Sequence, residues 1–166
     1  MGIARIFKTA ASTLCIMALP VLAEAAGTNV AFGGLKTDTT LPVQVQADQL
    51  SVSQADGKAV FSGNVVVMQG DMKLQAKEVT VEYSTDKKAI KSLHAAGGVT
   101  LAAGTDAAQA DSADYSPDSG TLVMSGKVIL TQGGAAISGE TLNLSLKTGT
   151  GTMEGRVTTT FTPGGN

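Results

Sequence analysis

The side chains able to do chemistry are few in this 166-residue chain, and their spacing does not suit catalysis. His94 is the single histidine and Cys15 the single cysteine, so a metal site built from the usual nitrogen and sulfur ligands is not expected. Serines abound, yet no G-x-S-x-G elbow occurs and His94 stands in no triad context. Asp111 and Asp114, at i and i+3 of one alternating segment, fall on opposite faces of a regular strand unless the chain bends between them. Lys87, Lys88 and Lys91 form a charge cluster. Its ammonium groups can meet phosphate oxygens at the rim of a groove, and they equally suit a solvated hairpin. No catalytic constellation and no cofactor motif is present, so the residues point away from an enzyme.

What the chain offers instead is a repeat. One class of tetrapeptide reads S-G-N-V at Ser62 to Val65, A-G-G-V at Ala96 to Val99, S-G-K-V at Ser125 to Val128 and, more loosely, E-G-R-V at Glu154 to Val157. A second class reads A-D-Q-L from Ala47, A-K-E-V from Ala76, A-D-S-A from Ala110 and G-E-T-L from Gly139. From the glycine of the first class to the start of the second the step is 13 residues each time; the return step is 16, except from Ala76 to Gly97, where it is 21. Regularity of this kind marks one supersecondary unit stacked on itself around a shared core.

The units are strands. Apolar and polar residues alternate at period two, as in Val43, Val45, Ala47; Met72, Leu74, Ala76; Val79, Val81, Tyr83; and Leu142, Leu144, Leu146, and no window carries a helical stripe. Turn-forming clusters at Asp56-Gly57, Gly70-Asp71, Ser84 to Lys87, Gly104-Thr105, Pro117 to Gly120, Gly133-Gly134 and Lys147 to Gly151 join eight antiparallel arms. Each arm changes phase at its middle, where a repeat residue falls, and such a slip needs a bend or bulge that a small residue tolerates. The expected fold is all-β: a folded antiparallel meander forming an open V-shaped β-jelly-roll of about sixteen short strands.

Alternation turns Val65, Val67, Met72, Leu74, Val79, Val81, Leu101, Leu122, Met124, Val128, Leu130, Leu142 and Leu144 toward the interior. With two Tyr, four Phe and no Trp, few rings fill the space between sheets. The interior suits an elongated apolar guest or a plain aliphatic core. The two terminal arms, near Val43 to Val52 and Met153 to Phe161, have no partner on one side and invite pairing with a neighbour. The last is threonine-rich, which suits a strand.

Residues 1–25 read as a cleaved signal peptide, with Arg5 and Lys8 before a short apolar run and small residues at Val21-Leu22-Ala23 and Ala23-Glu24-Ala25. Cleavage would remove Cys15 and leave no disulfide; retention would leave an anchored protein. Residues 26–42 and 162–166 read as flexible tails around a domain at 43–161. With 12 basic and 14 acidic residues, the chain lacks the basic surface that nucleic acid demands.

With its repeated A-D-x-L-x-V and F-S-G-N-V-x-V-x-Q-G-D signatures, most specific from Ala59 to Asp71, the stretch from Val43 to Phe161 resembles the OstA/LptA family of periplasmic lipopolysaccharide-transport proteins. The resemblance implies a β-jelly-roll whose thirteen inward candidates hold the acyl chains of lipopolysaccharide, with Lys87, Lys88 and Lys91 as candidate phosphate contacts. It also implies a periplasmic location, head-to-tail homo-oligomers, and edge-strand pairing with an inner-membrane transporter component and an outer-membrane assembly protein. Two other readings stay open: an inner-membrane-anchored component of the same pathway, and a structural β-repeat envelope protein.

Overall fold

Alternating stretches of a dozen residues, separated by glycine turns, fold into long strands with one apolar face. The computed structural model describes residues 28–31, 35–86 and 89–162. Its strands are β1 (Thr28–Ala31), β2 (Gln44–Gln46), β3 (Gln49–Ser53), β4 (Lys58–Gln69), β5 (Met72–Tyr83), β6 (Ile90–Ala103), β7 (Asp106–Ser116), β8 (Thr121–Gln132), β9 (Ala135–Ser145), β10 (Thr150–Glu154) and β11 (Thr158–Phe161). They form one antiparallel sheet of eleven strands in the order β1-β10-β9-β8-β7-β6-β5-β4-β2, with β3 also on β4 and β11 also on β9.

The count is eleven rather than about sixteen because the six central arms cross their midpoints without losing the ladder. Register skips between Ser62 and Val65, between Ala96 and Val99, and between Ser125 and Val128. At each skip two residues face one on the next strand, which is a β-bulge. Both residues of the bulge have positive φ: 78° and 48° at Gly63-Asn64, and 84° and 48° at Gly126-Lys127. Gly97-Gly98 repeats the device in β6, and Gly155-Arg156 uses it to separate β10 from β11. Only in the terminal arms, β2 with β3 and β10 with β11, does the bend divide the arm into two strands.

The two repeat classes are the two sides of one corner. A Cβ on Gly63 would stand 2.6 Å from Asp48 Oδ2, and one on Gly126 would stand 2.5 Å from Asp111 Oδ2. Lys77 and Glu140 sit in the same way against Gly97 and Gly155. Thus the charged second residue of each A-D or A-K or G-E unit lies over the glycine of a neighbouring arm. At the two ends of the row the contact is polar as well: Asn64 Nδ2 donates to Asp48 at 2.8 Å, and Arg156 Nη2 meets Glu140 at 2.8 Å. Both are exposed and contribute little to stability.

The bulges divide the sheet into two half-sheets, and a single contact shows that these face each other. Gln69, at the end of β4, is level with Met72, Ala103 and Asp106 through successive pairings. Tyr115 lies nine residues further along β7 than Asp106, about 30 Å away if the strands ran straight. Yet Tyr115 Oη donates to Gln69 Oε1 at 2.5 Å. The arms must fold at the bulges, bringing their turn-bearing ends together as the two lips of a slot.

The ends differ from the expected tails. Residues 26–42 have no period, but β1 pairs with β10 from Thr28↔Met153 to Ala31↔Thr150, and Leu35 is 1% exposed. Pairing to an edge asks only for backbone groups, so side-chain pattern does not announce it. Thr162 N donates to Gly134 O at 2.8 Å, extending β11 by one residue. The expected signal peptide lies outside the described residues.

Candidate functional site

Alternation in the folded arms aims one set of side chains into the slot from each half-sheet. Val65, Val67, Met72, Leu74, Leu101, Val128 and Leu130 come from one half; Val79, Val81, Leu122, Met124, Leu142 and Leu144 come from the other. All thirteen are buried, at 5% exposure or less. Met153 and Leu146 continue the lining toward β10, and Leu35 enters it from outside the repeat. All of these residues belong to one buried hydrophobic cluster, so the lining is closed to solvent.

The lips carry polar groups on the inward positions, a feature that the sequence reading did not reach. Gln69 occupies the parity of Val65 and Val67, and Asp106 that of Ala108 and Ala110; both are buried. Gln132 Nε2 donates to Asp106 Oδ2 at 2.9 Å, and Thr105 Oγ1 to Asp106 Oδ1 at 3.3 Å. Gln69 accepts from Tyr115 and donates to the carbonyls of Thr39 at 3.0 Å and Leu41 at 2.8 Å. Polar residues breaking an apolar parity next to a turn are the signal that could have found them.

Burial pushes the Tyr115 phenol up to about 12 from its ordinary 10. The folded state therefore favours the protonated form, and the stability this contributes is intact below pH 10 and lost as pH rises toward 12. Two pH units correspond to about 2–3 kcal/mol. Tyr115→Phe is expected to remove this component of the alkaline decline, seen as a smaller fall in urea midpoint between pH 9 and pH 11.5 than in the unsubstituted protein. Parallel declines would show that the phenol is not held in this way.

The charged candidates lie elsewhere. Lys91 is exposed and meets Glu82 Oε2 at 3.6 Å; Lys87 and Lys88 lie outside the described residues. His94 faces Asp114 across β6 and β7 on the outer surface, Nδ1 to Oδ1 at 2.7 Å. Asp111 and Asp114 are both exposed, because the phase change in β7 falls between them. Among the described residues no group of three or more His, Cys, Asp or Glu is placed to hold a metal ion.

A sheet of bulged arms folded around an apolar slot matches a known family, described as LptA/(LptD N-terminal domain) LPS transport protein, over residues 44–150. The chain belongs to this family. An uncharacterized protein of Rhizobium meliloti is 30% identical over 122 residues, covering 69% of this chain and 64% of that protein. The lipopolysaccharide export system protein LptH of Pseudomonas aeruginosa is 39% identical over 61 residues, covering 37% of this chain and 34% of LptH. The matched part of this LptA-family chain thus spans less than two thirds of either relative. The crystal structure of LptH, the LptA-homologous periplasmic component of the lipopolysaccharide transport device, superposes with a TM-score of 0.68 at 21% identity, covering 76% of this chain and 99% of that one. The LptA-family fold is therefore shared, as an all-β antiparallel open sheet of jelly-roll type.

Proposed function

We propose that this chain is a periplasmic lipopolysaccharide carrier that shields lipid A acyl chains in the slot between its half-sheets. The observation that carries this is the lining: thirteen buried apolar side chains, drawn from β4, β5, β6, β8 and β9, with the one buried acid, Asp106, confined to the lip. Carrying an acyl chain bare through water costs about 0.8 kcal/mol per methylene, so a chain of about a dozen carbons costs roughly 10 kcal/mol. When the half-sheets part to admit it, apolar contacts between side chains are exchanged for apolar contacts with the guest. That exchange recovers most of what opening costs.

Stacking would make the slot continuous from copy to copy. At one end β2 and β3 each have β4 on one side, and at the other end β11 has β9. Leu50 and Val52 on β3 and Phe161 on β11 are exposed, Phe161 at 74%. Edge strands with exposed apolar side chains are surfaces that bind another strand. We assign them to a second copy head to tail and, at the ends of the stack, to the inner-membrane transporter component and the outer-membrane assembly protein.

The closed packing favours one competing reading, a structural β-repeat envelope protein with a solid interior. Photo-crosslinkers placed in vivo at Val67, Leu74 and Leu130 and at the exposed neighbours Lys73, Gln75 and Thr131 separate the two. Lipopolysaccharide adducts are expected at the first three and not the second. Adducts confined to the exposed set, or absent altogether, would refute the carrier.

A further inference from the structure

β1 and β2 stand at opposite ends of the strand order, so the chain between them must pass from one end of the sheet to the other. Residues 35–41 of it pass over the mouth of the slot. Thr37 N donates to Leu146 O on one lip at 3.1 Å, and Thr37 Oγ1 donates to Gln69 O on the other at 3.0 Å. Leu35 drops into the apolar lining, while Lys36, Asp38 and Thr40 stay exposed. The stretch is stiffened by Asp38, which accepts from Thr40 N at 2.9 Å and Thr40 Oγ1 at 2.6 Å; these bonds hold its carboxyl below the usual 3.8.

Gln69 fastens this crossing. Its amide oxygen takes the Tyr115 hydroxyl from the opposite lip, and its amide nitrogen donates twice, to Thr39 O and Leu41 O. Both of its N–H donors and one acceptor site of its amide oxygen are thus spent on holding the mouth shut. We propose that residues 35–41 are a strap over the slot, and that acyl chains enter only when the strap lifts off Gln69; this rests on the carrier function proposed above.

The physical argument is the contrast in anchoring. The central arms are held by ladders on both sides, whereas the strap is held by one buried aliphatic side chain, one buried hydroxyl and a few hydrogen bonds to the lips. Segments so held open locally while the rest of a fold stays intact. Lifting the strap bares the two N–H donors of Gln69 beside the lining. Left unpaired in a closed site they would be costly, but a headgroup oxygen, from a sugar hydroxyl or a phosphate, satisfies them. The strap and the headgroup of an amphiphile therefore compete for the same donors.

A reversible lock tests this. A Cβ on Gly70 would stand 2.9 Å from Thr37 Oγ1, close to the roughly 3 Å between a sulfur and the far Cβ of a disulfide. Thr37→Cys with Gly70→Cys, in a Cys15→Ser background that leaves no third thiol, is oxidised after folding and mixed with purified lipopolysaccharide. Co-migration on size exclusion is expected to be lost in the oxidised protein and restored by reductant, which also excludes misfolding as the cause. As a second readout, the Thr37 amide of the unsubstituted protein should lose protection from hydrogen exchange when lipopolysaccharide is added. If the oxidised protein loads as well as the reduced one, or Thr37 keeps its protection in the loaded state, the strap proposal fails while the carrier stands. If the unsubstituted protein takes up no lipopolysaccharide, the carrier reading fails and the strap with it.

Discussion

Gly126→Val is expected to destabilise the protein by about 3 kcal/mol or more, a large part of the 5–15 kcal/mol that typically separates folded from unfolded states. Gly126 has φ of 84°, and a Cβ there would stand 2.5 Å from Asp111 Oδ2 and 2.8 Å from Asp111 Cβ. The carboxylate end can swing away, but Asp111 Cβ is tied to the backbone of β7. A β-branched residue also pays about 1–2 kcal/mol to enter the left-handed region at all. Because β8 pairs with β7 and β9 on both sides, neither strand can shift without breaking a ladder. Gly133→Ala is the comparison: its φ is 55° but nothing lies within 4 Å of the added Cβ. It should cost about 1 kcal/mol. Urea unfolding of the two variants reads the difference, and equal midpoints would show that the corner contact contributes nothing.

Thr159→Pro is expected to weaken the proposed head-to-tail assembly while leaving the fold intact. Thr162 N points to Gly134 O, just before β9, so by strand alternation the N–H groups of Thr160 and Thr158 point to β9 as well. Those of Thr159 and Phe161 point to the open side. Proline at 159 removes a donor from the free edge without removing one from the β9 ladder, the position where an edge strand tolerates it. Loss of the bond and the ring's bulk at the contact should weaken association at least about tenfold, or ~1.4 kcal/mol. Sedimentation over a concentration series measures this, with a thermal melt to check that the monomer is unharmed. Undiminished association would mean that β11 is not the pairing edge.

Much of this protein is legible along the chain because its signals are local. Alternation at period two places each of the thirteen inward residues without reference to any partner. The turn glycines at 70, 104 and 133 and the bulge glycines at 63, 97 and 126 all have positive φ, a conformation that residue type announces directly. The phase slip between Ala76 and Val79 requires a corner somewhere, and the bulges supply it. The number of strands was less legible. Whether a bend breaks a strand depends on whether both neighbours keep their hydrogen bonds through it, and a central arm has two neighbours where a terminal arm has one.

The sequence by itself determined the strand period, the places of the turns and corners, and which side chains face inward, since each follows from the conformational freedom and polarity of a few adjacent residues. Only the tertiary structure decided that the slot is closed to solvent, that β1 lies on β10, and that Leu35 to Leu41 cross the mouth between Leu146 and Gln69. Those contacts join residues tens of positions apart through backbone groups and single hydrogen bonds. No periodicity records such pairings, because they exist only once the two half-sheets have come together.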